Sequence, residues 1–195
     1  MFAASRVEQY TALLVERAEK LRVGNPAEDD DVAYGPLIDE AARDRVHAIV
    51  GDSVAAGARL VTGGSYDELF YQPTVLTDVP PEARAYQEEL FGPIAPIVTF
   101  KDIDEAARFA AQTDSGLSLA VLTTDITRGL ALAERVPVGM VHINDQTSTD
   151  EPIAPFGGVG SSGSGYRIGG QQANLEAFTE MQWVTVNQEF GSYPF

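Results

Sequence analysis

The consecutive residues Glu88-Glu89-Leu90-Phe91-Gly92-Pro93 set two carboxylates, an aromatic ring and a Gly-Pro turn ahead of an apolar stretch, 94–100. A carboxylate leading into a strand can accept hydrogen bonds from a vicinal diol such as a ribose. A neighbouring ring can pack on a flat heterocycle such as a nicotinamide. Taken by itself, the stretch reads as a surface acid pair beside a buried phenylalanine.

Other chemistry-bearing patterns are weaker. Gly158-Val159-Gly160-Ser161-Ser162-Gly163 matches G-x-G-x-x-G literally. A dinucleotide loop of that type must leave a strand and open a helix, so that its amides face a pyrophosphate. Here a long polar loop precedes it and Ser164-Gly165-Tyr166 follows, so these glycines read as structural. Two near misses to a nucleophilic serine motif, around Ser53 and Ser118, end in alanine. Ser53 falls in an expected helix. Ser118 falls at the start of an expected strand, where a nucleophile elbow needs the strand's end. Ser118, His142 and Asp145 can be drawn as a triad, but closeness in sequence is not geometry. His47 and His142 are the two histidines. His47 reads as a surface residue and His142 as half-buried in or beside a sheet, so no metal site is expected.

Composition narrows the function classes. Asp and Glu total 29 against 13 Lys and Arg, for a formal net charge of −16. Backbone phosphates and anionic membranes need a basic patch, so neither nucleic acid nor membrane is an expected partner. The absence of cysteine removes disulfides, thiolate nucleophiles and cysteine-ligated zinc together. No apolar run reaches the roughly 18 residues of a membrane span, and the start has no signal-peptide pattern. A cytoplasmic location fits this composition. A chain of 195 residues can bury about 70% of its unfolded surface.

The elements that must position these residues follow from periodicity and punctuation. Residues 6–22 read as an amphipathic helix through Val7, Tyr10, Leu14 and Leu21, stopped at Gly24-Asn25-Pro26. The acidic run Glu28-Asp29-Asp30-Asp31 lacks the pattern of a calcium loop and reads as solvated. Asp39 is the expected cap of a helix to about residue 56, with Gly57 as its stop. Strands are expected at 58–61, 72–79, 94–100, 117–123 and 138–143. Helices are expected at 102–112, capped by Asp102 or Asp104, and at 125–136. Residues 144–170 read as loop, with a short helix at 174–178. Continuous apolar strands alternating with helices imply an α/β fold, a parallel sheet flanked by helices. The strands at 94–100, 117–123 and 138–143 are expected in one sheet.

Together, Gly24-Asn25-Pro26, Tyr34-Gly35-Pro36-Leu37-Ile38, Gln72-Pro73-Thr74-Val75-Leu76, Glu88 through Pro93, Ser115 through Ser118, Gly139 through Asn144 and Pro155-Phe156-Gly157-Gly158 with Ser162-Gly163 resemble the aldehyde dehydrogenase superfamily. The resemblance covers essentially the whole chain. Its last part, from Gly169 to Val186, looks most like the branch acting on aromatic aldehydes such as benzaldehyde, vanillin or salicylaldehyde. The resemblance implies that Glu89 holds the nicotinamide ribose of NAD or NADP, that Phe91 packs near the nicotinamide, and that Phe156 lines the aldehyde pocket. It also implies that the nucleophilic cysteine, the general-base glutamate, the oxyanion-hole asparagine and the main cofactor domain lie in a region with no counterpart in these 195 residues. No catalytic residue is therefore expected here.

On that basis, residues 1–180 are expected to form a truncated catalytic domain, and 181–195 an oligomerisation strand and tail. The segment Met181-Gln182-Trp183-Val184-Thr185-Val186-Asn187 carries apolar residues on both faces, with no Pro or Lys to protect an edge. Expected partners are further copies of the chain, joined through that segment, and a chain supplying the N-terminal half. Three activities compete: half of a split aldehyde dehydrogenase, a repurposed ester hydrolase, and a structural partner of full-length relatives.

Overall fold

The computed structural model describes residues 1–189 and 191. The chain divides into two compact units, residues 1–113 and 114–195.

The first unit runs β1 (Phe2–Ala3), α1 (Val7–Glu19), α2 (Glu40–Ala55), β2 (Arg59–Thr62), β3 (Tyr66–Asp67), β4 (Phe70–Tyr71), β5 (Thr74–Thr77), α3 (Arg84–Gln87), β6 (Ile94–Pro96), β7 (Thr99–Phe100) and α4 (Ile103–Ala110). Asp39 caps α2, its carboxylate accepting from the Ala42 amide at 2.7 Å, which satisfies a donor the helix leaves unpaired. Asp102 does the same for α4 through the Glu105 amide. Val46, Ile49, Val50 and Ser53 are the buried residues of α2. Their helical spacing turns one stripe inward. Ile49, Val50, Leu76, Val79, Ala83 and Leu90 build the core there.

β5 is the middle strand of a three-stranded sheet, antiparallel to β2 and parallel to β6. All four of its residues are buried: Val75 and Leu76 join the apolar core, and the Thr74 hydroxyl donates to the Gln72 carbonyl. The strand expected at 94–100 is two strands with different partners. β6 pairs with β5, whereas β7 pairs in parallel with β1. Pro96 has no N–H to donate and ends the first ladder. The Ile97 amide still reaches Leu76 at 2.8 Å, and the Val98 carbonyl then accepts from Phe2.

The second unit runs β8 (Ser115–Gly116), β9 (Ser118–Val121), α5 (Ile126–Ala133), β10 (Met140–Ile143), β11 (Val159–Gly160) and α6 (Gln171–Phe178). β9 and β10 pair in parallel, joined through α5 as a strand–helix–strand unit. β8 and β11 pair antiparallel. The single sheet expected through 94–100, 117–123 and 138–143 is thus corrected. The last two expected strands pair with each other, while 94–96 takes β5 as its neighbour. Residues 181–187 form no strand within the chain, and Met181, Trp183 and Val186 are more than four-fifths exposed.

Candidate functional site

The segment from Glu88 to Phe91 leaves α3 with extended backbone, Glu88 at φ −105° and ψ 148°. Extended chain points successive side chains to opposite sides. Glu88 and Leu90 turn inward, and Glu89 and Phe91 turn out to solvent. The inward pair is anchored. Leu90 is 9% exposed and joins the core. The Glu88 carboxylate accepts from Arg84 Nε at 2.6 Å and from Arg45 at 3.2 Å. Its hydrogen bond from Arg84 is the leading cause of a pKa held below the ordinary glutamate value, with further attraction from Arg84 and Arg45.

The outward pair is presented rather than packed. Among the described residues no side chain or backbone group engages the Glu89 carboxylate, although the Glu89 carbonyl accepts from Arg45 at 2.9 Å. Phe91 is 75% exposed at φ 44°, a left-handed conformation uncommon outside glycine. The expectation of a buried phenylalanine is corrected: Leu90 fills the core, and the register of an extended strand leaves Phe91 outside. Gly92 follows in tight packing, where a Cβ would meet the Val46 side chain at 3.0 Å.

A ribose diol offers two hydroxyl donors, and a nicotinamide offers a flat face. An exposed carboxylate without an internal partner and an exposed ring two residues on match that donor and stacking set. The residues present therefore fit the cofactor group that the resemblance assigns to them.

Phe156 lies in the second unit, 37% exposed. It is held by a two-way backbone pairing with Ile168, at 2.6 and 3.0 Å. Arg167, the next residue back, donates to the carbonyls of Gly139 and Gly157 at 3.0 and 2.7 Å. That bond clips the loop to the approach of β10. A cleft of about 500 Å³ beside it is lined by Pro155, Tyr166, Arg167, Gln172 and Glu176 among others. A larger groove of about 660 Å³ lies along α1 and β2 and contains none of the predicted site residues.

The glycine loop is structural, as its sequence context implied. Val159 and Gly160 form β11 instead of opening a helix. The Ser162 hydroxyl accepts from the Gly116 amide, and the Ser161 hydroxyl donates to the Asp114 carbonyl. The paper triad does not assemble. Ser118 lies opposite Met140, and His142 lies opposite Ala120. Ser118 Oγ and His142 Nε2 are each without a hydrogen-bond partner. Asp145 instead binds the Gln146 amide and the Thr149 hydroxyl. His47 is exposed but not isolated: its Nδ1 lies 3.1 Å from the Tyr71 hydroxyl, with the Tyr66 ring edge-on at 5.1 Å. The arginines Arg45, Arg84 and Arg167 were not anticipated from the sequence. Only the i, i+4 spacing of Arg84 and Glu88 hinted at one of them. Among the described residues no group of three or more metal-ligating side chains assembles, and no helix is long and apolar enough to cross a membrane.

The aldehyde dehydrogenase family model matches residues 1–184. The chain is 50% identical over 192 residues to a vanillin dehydrogenase of Amycolatopsis, covering 98% of this chain and 39% of that protein. It is 45% identical over 188 residues to a benzaldehyde dehydrogenase [NAD(+)] of Pseudomonas putida, covering 96% and 38%. A salicylaldehyde dehydrogenase from Pseudomonas putida, solved with salicylaldehyde, superimposes with a TM-score of 0.91 at 34% identity, over 99% of this chain and 40% of that one. The chain thus spans about two fifths of the length of these relatives. The family match covers nearly every residue, and the chain belongs to the aldehyde dehydrogenase family.

Proposed function

We propose that this chain forms one wall of an NAD(P)-dependent site that oxidises aromatic aldehydes to acids, and that it is not competent in that reaction by itself. The observation that carries the reading is the outward pair Glu89 and Phe91, a carboxylate with no internal partner beside an exposed ring. Glu89 would accept both ribose hydroxyls, and Phe91 would lie against the nicotinamide. The bound cofactor supplies the hydride acceptor. Phe156 would help line the aldehyde pocket. The similarity to vanillin and benzaldehyde dehydrogenases supports an aromatic substrate.

Residues 1–195 contain no cysteine, and the resemblance implies a thiolate nucleophile. That thiolate, with its base, would come from polypeptide outside these residues, either an N-terminal half chain or a longer relative. Further copies of the chain would join through 181–187, which presents Met181, Trp183, Val184 and Val186 to solvent.

The test is benzaldehyde-dependent formation of reduced nicotinamide, measured on the purified chain and on the chain mixed with the cysteine-bearing N-terminal part of a vanillin dehydrogenase. No signal is expected from the chain alone. A signal is expected from the mixture, and it should fall at least about tenfold with Glu89→Gln, since a hydrogen bond to a charged group is worth about 1.5–3 kcal/mol. Turnover by the chain alone, or a mixture indifferent to Glu89→Gln, would overturn the reading.

A further inference from the structure

The cofactor pair sits on a short extended segment containing a residue with positive φ, a conformation that persists only where its surroundings hold it. That support comes from one face of α2. Arg45, Val46, Asp52 and Ser53 recur at helical spacing, and each engages the 84–92 segment. Ser53 Oγ accepts from the Ala85 amide at 2.9 Å. Asp52 accepts from Arg84 at 2.7 Å. Val46 closes over Gly92. Arg45 is the contact nearest the pair, and one of its nitrogens reaches both the Glu89 carbonyl at 2.9 Å and the Glu88 carboxylate at 3.2 Å.

We propose that Arg45 is a positioning residue, whose grip on the Glu89 carbonyl and the Glu88 carboxylate fixes the direction in which the Glu89 carboxylate and the Phe91 ring point. Arg45 touches no cofactor; it acts through the backbone of the residue that does. One nitrogen thus ties the side chain of Glu88 and the backbone of Glu89 to α2 at the same point. A slip of one residue along the segment would exchange inward and outward side chains, because the side-chain period of extended chain is two, and these two contacts oppose that slip. Lysine keeps the charge but not the planar fork, so it should restore the contact in part. The inference rests on the reading of Glu89 as a ribose ligand.

Two measurements on the full chain separate the inference from that reading. Backbone 15N relaxation without cofactor reports the segment directly. Order parameters at Glu89–Gly92 should fall from about 0.85 to below about 0.6 in Arg45→Met, with Arg45→Lys between them and the α2 amides unchanged. NAD alone, titrated by NMR, should bind about tenfold more weakly to Arg45→Met and recover in part with Arg45→Lys, because a misdirected Glu89 carboxylate forfeits its charge-assisted bonds to the ribose. Should Arg45→Met fail to fold, Arg45→Gln removes the guanidinium, leaves the Arg84–Glu88 pair in place, and carries the relaxation measurement. A rigid 89–92 segment in these variants would overturn the positioning role, whatever NAD does. NAD binding unaffected by Glu89→Gln would instead overturn the ribose reading, leaving the relaxation result to decide on Arg45.

Discussion

Ser53 Oγ and the Ala85 amide are 2.9 Å apart across 32 residues of sequence. The same hydroxyl donates to the Ile49 carbonyl at 2.7 Å. Ser53 is fully buried. One small side chain therefore joins α2 to the start of the segment that presents Glu89.

Ser53→Ala is expected to destabilise the fold by about 1–3 kcal/mol, because it strands a buried amide with no partner. Urea unfolding should show a lower midpoint with an unchanged slope. A midpoint equal to that of the parent chain would mean that water or another acceptor replaces the hydroxyl.

Gly139→Ala should cost more, about 3 kcal/mol or more. A Cβ at Gly139 would lie 1.8 Å from the Gly157 carbonyl oxygen, which is backbone and cannot step aside. Substitution at Gly51, where a Cβ meets nothing within 4 Å, is the control. It lies in a helix interior, so Gly51→Ala should be neutral or slightly stabilising. The prediction fails if the two variants melt together.

Three of the seven tyrosines should ionise late, Tyr86 among them because burial raises it. Burial pushes the Tyr34 phenol up to about 12. Burial, with the charge of Tyr66 adding to it, pushes Tyr71 up to about 12. Folding thus favours the protonated form of each. The stability they contribute is present below the ordinary value of 10.0 and is lost as pH rises towards about 12. Phenolate absorbance should show Tyr34 and Tyr71 titrating together with alkaline unfolding. Seven phenols ionising as one class near the ordinary value, in a folded chain, would contradict it.

The exposed segment 181–187 should seek a partner strand. Association would cover Met181, Trp183, Val184 and Val186, against a net charge of −16 that opposes it. Light scattering should show a dimer or larger assembly that strengthens with ionic strength, because salt screens the repulsion. A monomer at moderate salt, unchanged by deleting 181–195, would exclude this role.

Much of the molecule was legible in the order of its residues. Local chemistry set the helices: Asp39, Asp102 and Asp125 cap α2, α4 and α5 because a carboxylate next to a free amide needs no tertiary help. Gly57, at φ 115°, stops the chain beyond α2 for an equally local reason. The motif Glu88 through Pro93 marked where the candidate site lies. Strand partnership was decided in three dimensions, since an apolar run encodes burial but not its neighbour. Hence 94–100 was legible as extended, and its division between β5 and β1 was not. The same holds for which member of the acid pair is spent on structure. Glu88 and Glu89 are chemically identical, and only the extended register after α3, with Arg84 and Arg45 converging from one side, ties down the first and leaves the second free for a ligand.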